Sequence, residues 1–323
     1  MTDRTLFGIN LPWFFGSYGH DLAVNPNVPD WGCDFNAFKS YRPLIEAREI
    51  GFGAVRIWLC ERAEGVVVRD GEIVGVHPKL LESIRVLQEC AHLVGVRIYW
   101  TLLDGNSWKR EQDALTHRII SDADQTARFA EHVVVPIVKL LDPQISVALE
   151  VINEPETMTS ECVHGDGEIT VPWSDLGRAI RVIGDASRAE RSRLAITAGT
   201  MHVFLPSLWK SEPRLDAIDI HMYHRTGGLP SRSDLANYVG DPRITTSEIP
   251  LIAGECGLPD DVDSEGPARL VDYLHNAQQN HYLAAFLWRL EGSLVAQEPS
   301  RTLTPAAGLV RLALRELSSS PTP

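Results

Sequence analysis

The chain predicts an α/β fold, a single (β/α)8 barrel of the TIM type, on three observations. Apolar runs rich in Val and Ile alternate with longer amphipathic segments along its length, as expected of parallel strands buried on both faces and separated by helices. Eight such runs fit into 323 residues, a length suited to one barrel. No GxGxxG turn follows the first run, which disfavours the rival, a doubly wound open sheet.

The expected strands are LFGIN (6–10), GAVRIWL (53–59), VRIYWTLL (96–103), SVALEVI (146–152), LAITA (194–198), AIDIHMY (217–223), PLIAGE (250–255) and LAAFLW (283–288). Helix-sized segments lie between them. YRPLIEAREIG closes on a glycine suited to a C-cap, and PKLLESIRVLQECAHLVG opens with proline in its first turn. SDADQTARFAEHVVVPIVKLL begins with a serine and aspartates suited to capping. SDLGRAIRVIGDASRAE, GPARLVDYLHNAQQN and AAGLVRLALREL complete the alternation. No linker or repeat divides the chain, so residues 1–317 read as one catalytic domain and 318–323 (SSSPTP) as a frayed tail.

Composition bounds the partners. A formal charge of −13 would be repelled by nucleic acid or an anionic membrane, so neither is expected. Five scattered cysteines without a CxxC pair support neither a disulfide framework nor structural zinc. MTDRTLFGINLPW has no basic segment followed by an apolar core, and no stretch reaches the length of a membrane span. A cytoplasmic protein is expected, or a secreted one if a leader has been removed.

In a barrel of this kind the chemistry sits at the C-terminal ends of the strands. Those ends carry Asn10, Arg56, Trp58, Asp104, Asn153, Glu154, His221, Tyr223, Glu255 and Trp288. Glu154 follows the fourth strand and Glu255 the seventh. Two carboxyl groups facing each other across a cleft are what glycoside hydrolysis requires: one protonates the departing oxygen and the other, ionised, attacks the anomeric carbon. His221 and His224 stand three apart at a strand end and no HxH follows the first strand, so neither a metal nor an organic cofactor is expected.

INEP after the fourth strand, AGECG after the seventh and HMY on the sixth together resemble the signatures of clan A glycoside hydrolases, the cellulase-like family-five barrels. The likeness runs from GIN at residue 8 to FLWRLEG ending at residue 292. It implies that Glu154 is the acid/base and Glu255 the nucleophile of a retaining mechanism. It also implies that Asn153 grips the sugar 2-hydroxyl, that Tyr223 donates to the nucleophile beside His221, and that Arg56 keeps the nucleophile ionised. Trp288 matches the aromatic platform under the sugar. With that arrangement the carboxyl groups should stand roughly 5–5.5 Å apart. Glu255 should have a depressed pKa, and its charge should raise that of Glu154.

The chain departs from the family after the third strand. Where many members carry histidine, TLLDGNSW offers Asp104, Asn106 and Trp108, which points to a different glycone contact. The long aromatic loop LPWFFGSYGHDLAVNPNVPDWGCDF supplies Trp13, Tyr18, His20 and Asp21 as candidate sugar contacts, since long loops commonly carry function. The expected activity is a retaining β-glycosidase acting on β-linked glucose-, mannose- or galactose-type oligosaccharides or glycosides. A transglycosylase and a non-catalytic sugar-binding barrel are the alternatives.

Overall fold

The computed structural model of the protein describes residues 4–14, 17–26, 28–109, 114–162, 169–223, 228–246, 249–257, 266–296 and 301–319. Its centre is a closed parallel barrel. In chain order the strands are β1 (Leu6–Leu11), β2 (Ala54–Trp58), β3 (Val66–Arg69), β4 (Glu72–Val76), β5 (Arg97–Asp104), β6 (Ser146–Asn153), β7 (Ile196–Met201), β8 (Ile218–Tyr223), β9 (Leu251–Gly257) and β10 (Ala284–Leu287). All but β3 and β4 close the ring, in the order β1-β10-β9-β8-β7-β6-β5-β2. Every one of the eight expected strands is present, each with ends within three residues of those expected.

β3 and β4 form an antiparallel hairpin outside the barrel. Its signal was in the sequence: Asp70 and Gly71 join two Val-rich runs, and both take positive φ (51° and 82°), as tight hairpin turns require. The helices cap as their sequences foretell. Ala37–Ile50 ends on left-handed Gly51 and Pro78–Val94 on left-handed Gly95, where a residue without Cβ is least strained. The Asp122 side chain accepts from the amides of Asp124 and Gln125 to start Ala123–Phe129. The last helix, Pro305–Ser319, takes in Ser318 and Ser319, the first two residues of the expected tail. Among the described residues no helix is long and apolar enough to cross a membrane.

The inside of the barrel is layered. At the strands' N-terminal ends Ala54, Tyr99, Ala148, Ala217, Ile252, Ala284 and Phe286 pack into a small cluster. The larger core lies between the strands and the surrounding helices. Above the small cluster comes a buried polar layer of Arg56, Glu150, Thr101, Tyr99, Thr197 and Asp219. Such groups are tolerated inside only when paired and hydrogen-bonded, and this layer supports the site above it.

Candidate active site

Two register shifts aim the carboxylates. Between β6 and β7, Glu150 pairs with Thr197 but Asn153 with Gly199, so three steps on β6 oppose two on β7. Between β8 and β9, Ile220 pairs with Ala253 and His221 with Glu255, which leaves Gly254 as the extra residue. A bulge re-aims the side chains after it. The Gly254 amide accordingly donates to Asp219 Oδ1 at 2.7 Å, and its carbonyl accepts from Asn10 Nδ2 at 3.0 Å.

Glu154 itself is left-handed, at φ 45° and ψ 58°, where it starts the short turn Pro155–Met158. A non-glycine residue there costs on the order of 1–3 kcal/mol and persists only when its surroundings hold it. Here its amide donates to the Gly199 carbonyl at 2.8 Å. Gly105 makes room on the other side, for a Cβ there would lie 2.3 Å from the Glu154 carbonyl.

One oxygen of Glu154, one of Glu255 and a ring nitrogen of His221 all lie within 4.8 Å of one another. His221 Nδ1 sits between the carboxylates, 3.2 Å from Glu154 Oε1 and 3.8 Å from Glu255 Oε2. Tyr223 donates to Glu255 Oε2 at 2.5 Å. Arg56 Nη1 donates to Glu255 Oε1 at 2.8 Å and to Asn10 Oδ1 at 3.0 Å. The same guanidinium holds Glu150 through two hydrogen bonds of 2.8 Å and reaches Asn153 Oδ1 at 2.8 Å. Asn153 then donates to Asp104 Oδ1 at 2.9 Å. The seven residues Arg56, Asp104, Asn153, Glu154, His221, Tyr223 and Glu255 thus form one connected constellation.

The electrostatics differ from expectation. Burial acts to raise Glu154, but the hydrogen bond and charge of His221, with the Asn106 amide and Arg56, bring it below the usual carboxylate range. Glu255 is raised: burial outweighs the cations of His221 and Arg56, and the charge of Glu154 adds to burial. Burial also acts against the His221 charge, yet Glu255 and Glu154 raise its pKa to about 9. The reversal has two physical causes: burial, which outweighs the cations at Glu255, and the hydrogen bond of His221, which goes to Glu154. Gly199 lets the ring in, since a Cβ there would lie 2.4 Å from His221 Nε2 and 2.5 Å from Glu150 Oε1.

The aromatic candidates divide. Trp288 meets Trp58 edge-on at 6.2 Å and Trp13 at 6.4 Å, and Trp13 meets Tyr18 at 5.6 Å. Trp58 lies under the Arg56 guanidinium, 4.1 Å from the ring centre. Trp13, Tyr18, Trp58 and Trp288 therefore make a continuous wall beside the carboxylates, and Tyr18 donates through its hydroxyl to Asp104. His20 and Asp21 are not brought to it. His20 pairs with Asp34 at 3.5 Å and packs on Trp31, while Asp21 is 2% exposed and turned into the loop. Trp108 lies on the turn Gly105–Lys109, with its side chain outside the described residues, as is His224.

Several supporting residues were missed. Glu150 and Asp219 stand on strands, and the sequence signal was a carboxylate at an inward alternate position of an apolar run. Asn106, offered by the sequence as a glycone contact, instead donates to Glu154 Oε2 at 2.8 Å. Asp219 accepts from Tyr99, which in turn lies 2.5 Å from Thr197 Oγ1.

The fold is a (β/α)8 barrel shared with solved mannanases and GH5_18 proteins. A β-1,4-mannanase from the sea hare Aplysia kurodai superposes with a TM-score of 0.71 at 15% identity, covering 98% of this chain and 93% of that one. The GH5_18 protein of Streptomyces cattleya, solved with GlcNAc, gives 0.72 at 15%, covering 99% and 82%. An exo-β-1,4-mannosidase from Opitutaceae bacterium strain TAV5 gives 0.65 at 16%, covering 97% and 60%. No protein-family model and no curated protein matches the sequence.

Proposed function

We propose that the protein is a retaining β-glycosidase in which Glu255 is the nucleophile and Glu154 the acid/base. The observation that carries the proposal is the spacing of this pair, with carboxylate oxygens within 4.8 Å of each other. So close an approach supports a double-displacement site, with carboxyl groups about 5–5.5 Å apart, over inversion, which spaces them about 6.5–9.5 Å to admit a water. In the first step Glu255 forms an ester with the anomeric carbon while Glu154 delivers a proton to the departing oxygen. In the second, water attacks the ester as Glu154 takes its proton back.

His221 gives that proton a source. At neutral pH it is an imidazolium donating to Glu154, so the pair holds one proton on a hydrogen bond of 3.2 Å. Substrate entry removes water from Glu154, whose side chain is 17% exposed, and desolvation favours its neutral form. The proton then passes to the glutamate. Activity should be bell-shaped in pH, the acidic limb reporting Glu255 and the alkaline limb the Glu154–His221 pair as a unit. Because the pair keeps its proton up to about pH 9, the alkaline limb should fall near there. His221→Asn should move that limb to lower pH and leave the acidic limb closer to its place. A profile whose alkaline limb does not respond would remove His221 from the proton's path.

For substrate, the neighbours' names put β-mannosides first, with β-glucosides and β-galactosides behind them. The deciding assay is a panel of aryl β-glycosides with the first-formed anomer followed by NMR. Net retention with a β-mannoside is the expected outcome, and first-formed α-product would overturn the mechanism. No turnover across the panel, together with saturable oligosaccharide binding, would favour the non-catalytic sugar-binding barrel.

A further inference from the structure

We infer that the buried carboxylates of Asp21, Glu61 and Glu64 form a binding site for a hard divalent cation, calcium fitting best, behind the Tyr18 wall of the cleft. Asp21 comes from the loop after β1, and Glu61 and Glu64 from the turn after β2. One oxygen from each lies within 4.8 Å of the other two. Two oxygens on one calcium ion stand no more than about 4.6–5.2 Å apart, so three within 4.8 Å of one another can share it.

The hydrogen bonding leaves ligand atoms free. The Phe14 amide donates to Asp21 Oδ2 at 2.5 Å, and the Gly19 amide to Glu61 Oε2 at 2.9 Å. The amides of Leu22 and Ala23 both donate to Glu64 Oε1. Backbone tethers thus fix one oxygen of each carboxylate. The opposite oxygens Asp21 Oδ1 and Glu61 Oε1 are buried with no hydrogen-bond partner among the described residues, and their side chains are 2% and 1% exposed as residues. Buried acceptors without partners are costly and rare.

Charge balance leads to the same place. Three ionised carboxylates this close in a dry site repel one another strongly. The neighbouring Arg62 opposes the shift of Glu61 but supplies a single positive charge. A divalent ion together with Arg62 neutralises the three acids. In its place protons must do so. The donors are all oxygen, which selects a hard ion over zinc or copper. Such an ion ties the loop bearing Trp13 and Tyr18 to the turn after β2, and Tyr18 to Asp104 and Asn153.

The test is thermal unfolding of the full chain, stripped with EDTA and dialysed, at pH 8 with added calcium, magnesium or manganese chloride, alongside metal content of the purified protein. Calcium at about a hundredfold excess over its Kd should raise Tm by on the order of 5 °C, with about one ion per chain. Asp21→Asn/Glu61→Gln should lose that response. Glu255→Gln should keep it, since the catalytic pair is a separate carboxylate cluster. If the double variant does not fold, the wild-type titration and stoichiometry decide alone. A wild-type Tm indifferent to all three ions means the cluster holds protons only and overturns the proposal. So does a response abolished by Glu255→Gln, which would put the ion at the catalytic pair.

Discussion

Glu255→Gln is expected to lower kcat/KM by more than about 10⁴-fold for every aryl β-glycoside, whatever its leaving group, because the atom that attacks the anomeric carbon is gone. Glu154→Gln should behave differently. With a leaving group that must be protonated the loss should be about 10²–10⁴-fold, the usual worth of a positioned acid. With a dinitrophenyl glycoside, whose leaving group departs as an anion, the first step should survive. The ester then accumulates because no base activates water, giving a burst of dinitrophenolate. Azide needs no base, so it should restore turnover and yield a β-azide. The geometry supports this division. Glu255 receives the fixed donors, Arg56 at 2.8 Å and Tyr223 at 2.5 Å, that steady a nucleophile. Glu154 receives the exchangeable proton of His221. A burst with both variants, or with neither, would refute the roles.

Arg56→Met should have the second largest effect, and on stability as well as rate. The guanidinium is fully buried and joins Glu150 below to Glu255 above. Its removal leaves Glu150 without its cation and Glu255 with His221 alone. Breaking a buried pair by deleting one partner costs about 3–5 kcal/mol, or a fall in Tm of roughly 10 °C. The acidic limb of the rate profile should also move upward, since Glu255 is already raised by burial and loses a charge that opposes the rise. The double variant Arg56→Met/Glu150→Gln separates the two effects. Neutralising Glu150 should recover much of the stability, because no buried charge below is then unpaired, while the shifted limb remains. Differential scanning calorimetry and a pH–rate series on both variants read this out. A double variant no more stable than Arg56→Met would mean that Glu150 is held mainly by Thr101 and the Gly199 amide.

What the chain determined by itself was the alternation and the punctuation. The Val- and Ile-rich runs could satisfy their backbones and bury both faces only as inner parallel strands, so all eight were legible, and with them the barrel. INEP and AGECG ended two of those strands in glutamates, so the pair was legible too. The first loop was not. His20 and Asp21 have the chemistry of sugar contacts, but where a loop side chain points depends on what packs under it. Here Trp31 and Asp34 hold one, and Glu61 and Glu64 enclose the other.

Tertiary structure also decided how His221 stands between the two glutamates. A period of two along a strand cannot register the extra residue at Gly254 or the added step between Glu150 and Asn153. Those shifts set which side chains face inward together. They bring His221 of β8 nearer to Glu154 than to Glu255, and distance governs which carboxylate a buried charge favours. Sequence named the two glutamates, and the register of the sheet decided which of them His221 stands nearer.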